Sequence, residues 1–190
     1  IMYTFKKIAV TSRQLCAVDL PQQIRRLASA GALRPDMVIV REKDLPEEEY
    51  EILAGQVMAV CREQQMGCVL HSYPGVARRL GCPAIHMPFA YFREQWESLL
   101  DFRVRGTSVH SAEDALWAQE HGATYVTAGH IYPTDCKRGL AARGTQFLER
   151  VCRVVSIPVY AIGGITPQRM DEVKKAGAAG ACMMSEYMKI

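Results

Sequence analysis

The chain has no C-x-x-C pair, no H-x-x-x-H spacing and no apolar run near the roughly 20 residues that span a bilayer. Its seven cysteines, Cys16, Cys61, Cys68, Cys82, Cys136, Cys152 and Cys182, are odd in number and unpaired in spacing. That pattern argues against a disulfide framework and against a structural zinc site, and the five histidines give a metal no better support. A net charge of +3 supplies no basic stripe for nucleic acid. No signal peptide opens the chain, so a cytoplasmic location away from membranes is expected. With 49% apolar and 23% charged residues, the composition excludes disordered and fibrous classes. The 190 residues suffice for one domain with a sizeable core, expected to span 1–190.

What the chain does contain is an alternation of short β-branched runs with segments of helical period, the signature of βα units around a parallel sheet. Strands are expected at Lys7–Thr11, Met37–Arg41, Gly67–His71, Ala84–Met87, Phe102–Val109, Tyr125–Ala128, Val159–Ile162 and Gly180–Met184. Between them, helices are expected at Pro21–Ala30, Pro46–Gln65, Gly75–Leu80, Arg93–Leu100, Ser111–His121, Thr145–Val155 and Thr166–Ala176. Gly31, Gly122 and Gly177 stop three of these helices, and Ser111 with Asp114 reads as a capping box. Such strict alternation predicts an α/β fold of the (β/α)8 TIM-barrel type. The first strand leads into Thr11-Ser12-Arg13-Gln14, nothing like the glycine-rich turn of an open nucleotide-binding sheet. Because such barrels seldom run below 200 residues, the last helix should be short or missing. The flank between the first and seventh helices would then be partly uncovered, a candidate contact for another chain.

Barrels of this kind place their chemistry at the carboxyl ends of the strands. Gly163 and Gly164 follow the seventh strand, and Met184 and Ser185 follow the eighth, where backbone amides commonly cradle a phosphate. The rival reading is a tight strand-to-helix turn. His110 shares a strand face with Ser108 and can take and give a proton near neutrality, or else hydrogen-bond the adjacent helix turn. Arg41 and Lys43 suit a carboxylate or phosphate, although Glu42 and Asp44 interleave with them as in a solvated loop. His130 is expected to pack under its long loop, where Lys137 and Arg138 lie in a glycine-bounded stretch able to act as a lid. His86 and His121 read as structural or solvated.

The segments Arg41-Glu42-Lys43, Ser108-Val109-His110-Ser111, Gly129-His130-Ile131-Tyr132-Pro133-Thr134-Asp135-Cys136-Lys137 and Ala161-Ile162-Gly163-Gly164-Ile165 resemble the thiamine phosphate synthase and TenI superfamily. The resemblance covers nearly the whole chain, with residues 106–185 carrying its specific part. It implies a compact barrel that handles thiazole phosphates in thiamine biosynthesis. The synthase branch joins a pyrimidine diphosphate to thiazole phosphate with Mg2+, using an Asn-Asp pair after strand three and an Asp after strand four. This chain has His71-Ser72-Tyr73 and Met87-Pro88-Phe89 there. The resemblance is closer to the TenI branch, the thiazole tautomerases, and implies an isomerase with no cofactor and no metal. Synthase activity and a non-catalytic thiazole-phosphate-binding regulator are the alternatives. By the same resemblance, His110 is the acid–base residue. Gly163, Gly164, Met184 and Ser185 meet the phosphate of a small phosphorylated thiazole, and Thr134 with Lys137 forms lid or anion contacts. Arg41 and Lys43 meet the ring carboxylate, with Ser108 and His130 lining the site. A homo-oligomer is compatible with this reading.

Overall fold

A computed structural model describes residues 4–134 and 139–190. Eight parallel strands close a barrel in chain order: β1 (Lys6–Val10), β2 (Met37–Val40), β3 (Gly67–His71), β4 (Ala84–Pro88), β5 (Val104–Val109), β6 (Tyr125–Gly129), β7 (Val159–Ile162) and β8 (Gly180–Met183). The ring closes where Lys6 of β1 pairs with Gly180 of β8. Around it lie α1 (Leu20–Ala28), α2 (Glu47–Glu63), α3 (Pro74–Arg79), α4 (Phe89–Gln95), α5 (Ala112–Glu120), α6 (Gly144–Val154), α7 (Met170–Lys175) and α8 (Ser185–Met188). The strands are buried on both faces, so runs such as Val38-Ile39-Val40 are continuously apolar rather than alternating.

Local chemistry sets the helices. Asp19 caps α1 by accepting from the Gln22 amide at 2.8 Å, and Leu20, Gln23, Ile24 and Leu27 form its buried stripe. Most boundaries fall within two residues of the sequence expectation, and the helices after β4 and β7 depart further. α4 begins at Phe89, not Arg93, because Pro88, with φ −55°, turns the end of β4 directly into the helix. The expected second half of that helix is a 3-10 turn, Trp96–Leu99. Likewise Thr166 caps nothing with its side chain, and Pro167–Arg169 forms a 3-10 turn before α7.

The final helix is short, as expected, and it packs onto the α1 side of the flank expected to be open. Tyr187 and Met188 are buried, and the Tyr187 hydroxyl donates to the Leu33 carbonyl at 2.9 Å. Gln23 of α1 donates from Nε2 to the carbonyls of Tyr187 and Ile190. The chain end is thus tied to the first helix by polar contacts as well as by packing.

Two buried tyrosines organise the interior. Tyr50, from α2, donates to the Val40 carbonyl at 2.8 Å and accepts from the His71 amide at 2.9 Å, joining the ends of β2 and β3. The second, Tyr125, belongs to a row set by register: His86 pairs with Gly106, and Gly106 with Tyr125. A Cβ on Gly106 would sit 2.0 Å from the Tyr125 ring, so the glycine leaves the gap through which the phenol reaches Nδ1 of His86, 2.9 Å away. On its other side, Nε2 of His86 lies 2.9 Å from Oγ of Ser108, which also accepts from Thr127 Oγ1 at 3.0 Å. His71 pairs with His86 in register and its ring stacks on it at 5.4 Å. These side chains floor the mouth of the barrel.

Burial, assisted by the positive charge of Arg41, pushes the His86 imidazole down to about 3, and burial likewise pushes His71 well below the usual histidine range. Both rings are therefore neutral at ordinary pH.

Tyr50→Phe leaves the Val40 carbonyl and the His71 amide without their partner, and a loss of about 1–3 kcal/mol is expected from urea unfolding midpoints. The floor also predicts acid sensitivity. Between about pH 6.5 and pH 3 the unfolded chain takes up a proton at His86 that the folded chain refuses, so stability falls as pH drops and is full above that window. Each such histidine contributes a slope of about 1.4 kcal/mol per pH unit. His86→Gln should flatten the unfolding free energy between pH 6 and 4 by about that share. An unchanged slope would show that the ring is not held neutral.

Candidate active site

A cavity of about 310 Å3 opens at the carboxyl ends of the strands. It brings together Arg41 and Lys43 after β2, Ser108 and His110 at β5, His130 and Thr134 after β6, Gly163 and Gly164 after β7, and Met184 and Ser185 after β8. These ten are sequence-predicted site residues. The eleventh, Lys137, lies outside the described residues, as do Cys136 and Arg138 of the same loop.

His110 sits one residue beyond β5, where backbone and side chain take different duties. Ser111 accepts from the Asp114 amide at 2.9 Å, and the Asp114 carboxylate reaches back to accept from the His110 amide at 3.2 Å. The cap therefore anchors the backbone, leaving the ring at the exposed mouth. Its Nδ1 lies 3.0 Å from the Gly129 carbonyl. A carbonyl only accepts, so in the neutral ring Nδ1 carries the hydrogen and Nε2 keeps its lone pair. The main chain thus serves the helix turn while the ring lines the cavity.

The charged segment after β2 is sorted by sign. Glu42 is buried, and its carboxylate accepts from the Arg13 amide at 3.0 and 3.1 Å and from the Arg13 guanidinium at 3.2 Å. Asp44 takes the same guanidinium in a two-pronged contact at 2.7 Å, which holds its carboxyl down to about 2. The Arg41 amide donates to Thr11 Oγ1 at 2.8 Å. With both acids turned onto the segment after β1, the alternate residues Arg41 and Lys43 line the cavity. Arg13 was absent from the sequence-based site. Its partners are 29 and 31 residues away, a distance no local pattern reveals.

The glycine corner has a directional backbone. The carbonyls of Ile162 and Gly163 accept from the amides of Ile131 and Tyr132, each at 3.0 Å, and that of Gly164 accepts from Arg169 at 2.7 Å. In a trans peptide the N–H points opposite its carbonyl, so the amides of Gly163, Gly164 and Ile165 turn away from those partners. Gly163 and Gly164 have φ of +96° and +64°. Side chains there would strike His130 at 2.2 Å and the Pro133 carbonyl at 2.6 Å. Glycine is required twice. His130 is buried under the loop, as expected, with Nε2 3.3 Å from the Leu140 carbonyl.

Two further features separate sequence from structure. The Ser108 hydroxyl is engaged by Thr127 and His86 in the floor, although Ser108 still lines the cavity. His71, quoted at a strand end without a role, lines the cavity as well. Strand parity and its place at the end of β3 were the signals available for it.

The sequence profile of the thiamine monophosphate synthase family matches residues 8–187. The thiamine-phosphate synthase of Bacillus cereus is 30% identical over 180 residues, covering 90% of this chain and 79% of that protein. The thiamine-phosphate synthase of Bacillus licheniformis is 31% identical over 156 residues, covering 78% of this chain and 67% of the other. Among solved structures, a thiamine phosphate pyrophosphorylase from Pyrococcus furiosus superposes with a TM-score of 0.81 at 27% identity, covering 98% of this chain and 88% of that one. No helix among the described residues is long and apolar enough to cross a membrane. With a closed eight-stranded barrel, a cavity at its carboxyl-end mouth and a profile match over most of its length, the chain belongs to the thiamine monophosphate synthase family of enzymes.

Proposed function

We propose that the chain is a thiazole tautomerase, converting the alkylidene form of carboxythiazole ethyl phosphate to its aromatic isomer. The observation that carries this reading is the 3.0 Å contact between Nδ1 of His110 and the Gly129 carbonyl. It leaves Nε2 as the ring's proton acceptor at the cavity. In the reaction Nε2 removes a proton from one carbon of the conjugated frame, and the electron pair shifts through the frame toward the other. The imidazolium formed then returns the same proton to that second carbon, so no atom is gained or lost. Gly129 accepts from Nδ1–H throughout and supports the transient cation, while Arg41 and Lys43 offset the negative charge that develops on the carboxylated ring. The glycine corner after β7, with Ser185 beside it, takes the phosphate.

The relatives' names favour a second reading, synthase activity. That reaction relies on Mg2+ bridging a diphosphate, and Mg2+ wants several oxygen ligands. Among the described residues, no three His, Cys, Asp or Glu gather where a metal ion could be held. The ends of β3 and β4 carry His71 and Pro88, and Glu186 is the sole described carboxylate on the cavity wall. This donor set does not fit Mg2+, and we derive no step through it.

The alkylidene substrate, followed by the rise of the aromatic thiazole absorbance, tests the proposal. His110→Gln should slow isomerisation by about 10²–10⁴-fold while thiazole phosphate affinity changes little. Isomerisation at the unmodified rate would remove His110 from the mechanism. Coupled product from a pyrimidine diphosphate, thiazole phosphate and Mg2+ would instead select the synthase reading.

A further inference from the structure

The proposed reaction gives no task to His71, yet this ring is held more deliberately than a packing residue requires. The next residue, Ser72, has φ +68°, a left-handed backbone that a residue with a Cβ adopts at a cost of roughly 1–2 kcal/mol. That conformation folds the Ser72 hydroxyl back to 2.6 Å from Nδ1 of His71, while the Ser72 amide donates to the His86 carbonyl at 3.0 Å. The ring itself stacks on His86 with 22° between planes. Tyr50 fixes the His71 amide from below. Backbone, ring face and one ring nitrogen are all committed, and the side chain lines the cavity.

Position in the barrel says what this ring would meet. β3 stands four strands from β7 in the closed ring of eight, across the mouth from the glycine corner. A ligand whose phosphate occupies that corner extends its far end toward β2 and β3, where Arg41, Lys43 and His71 stand together. We infer that His71 adopts the tautomer in which Nδ1 accepts from the Ser72 hydroxyl, and that it is a specificity-determining residue presenting Nε2–H to the ring carboxylate of the substrate. It thereby separates carboxylated thiazole phosphates from those without the carboxylate. The inference rests on the thiazole reading above and adds to it the group that is read. Burial beside Arg41 and Lys43 keeps this imidazole neutral, so it contributes a directed donor where the two side chains contribute charge.

The test is binding by calorimetry of two ligands, carboxythiazole ethyl phosphate and the same thiazole ethyl phosphate lacking the carboxylate. His71→Phe keeps a ring to stack on His86 and removes the donor. It should weaken the carboxylated ligand about 10-fold and the other by less than about 2-fold. His71→Asn, whose amide also donates, should recover part of the loss. Ser72→Gly suits the left-handed backbone and lacks the hydroxyl, so it should reduce the preference about 3-fold and serves if the His71 variants fold poorly. Equal weakening of both ligands, or no weakening of either, would overturn the assignment while leaving the tautomerase reading intact. Failure of the unmodified protein to bind either thiazole phosphate would overturn both.

Discussion

The Gly129 carbonyl can accept a hydrogen bond and cannot donate one, and it faces Nδ1 of His110 at 3.0 Å. That asymmetry gives the imidazole a defined tautomer and a defined direction. It depends in turn on close packing between neighbouring strands. Gly129 pairs with Ile162, and a Cβ on Gly129 would lie 2.4 Å from the Ile162 carbonyl. Gly163 leaves space for His130 in the same way. The absent side chains therefore set the spacing of β6 and β7, and through it the place of the accepting carbonyl. A site built this way draws its geometry from the sheet rather than from mobile side chains.

Charge is handled by a comparable division of labour. In a free loop, Arg41-Glu42-Lys43-Asp44 would neutralise itself. Here Arg13 gathers both acids, so the cluster carries one net positive charge and its distribution is polarised: carboxylates toward the segment after β1, cations toward the cavity. Arg13 is suited to this because its planar fork can hold two carboxylates at once, which a lysine cannot do with the same geometry. The Glu42 side chain is only 2% exposed, so its partners matter far more than those of a surface acid.

Much of the barrel is legible in the sequence, because strands buried on both faces leave apolar runs and glycine marks helix ends. The helix after β4 was misplaced, since Pro88 both ends the strand and launches the helix, and no polar spacer separates the two. The floor was illegible for a different reason. His86, Gly106, Tyr125, Ser108 and Thr127 come from three strands, and their contact follows from register, a property of pairs of segments rather than of any one. His86 read alone is a histidine in a short apolar strand, and whether it is buried neutral or solvated depends on a gap 20 residues downstream. The strand-end residues of the site were legible because barrel topology alone sends them to the mouth. What each one does there rests on partners such as Gly129, Arg13 and Ser72.

The floor and the cations also act on one another. A positive charge beside a buried imidazole disfavours its protonation, and Arg41 contributes this effect at both His71 and His86, with Lys43 adding to it at His71. The same charges favour an anionic ligand. By linkage, an anion seated against Arg41 and Lys43 relieves part of the pressure on the histidines, so ligand binding and protonation of the floor are coupled. Burial is nevertheless the larger cause at both rings and is untouched by an anion at the surface of the floor. The floor thus stays neutral whether the cavity is filled or empty. Imidazoles held below the usual histidine range are poor proton acceptors, so in the proposed reaction the floor shapes the cavity and the proton transfer is assigned to His110.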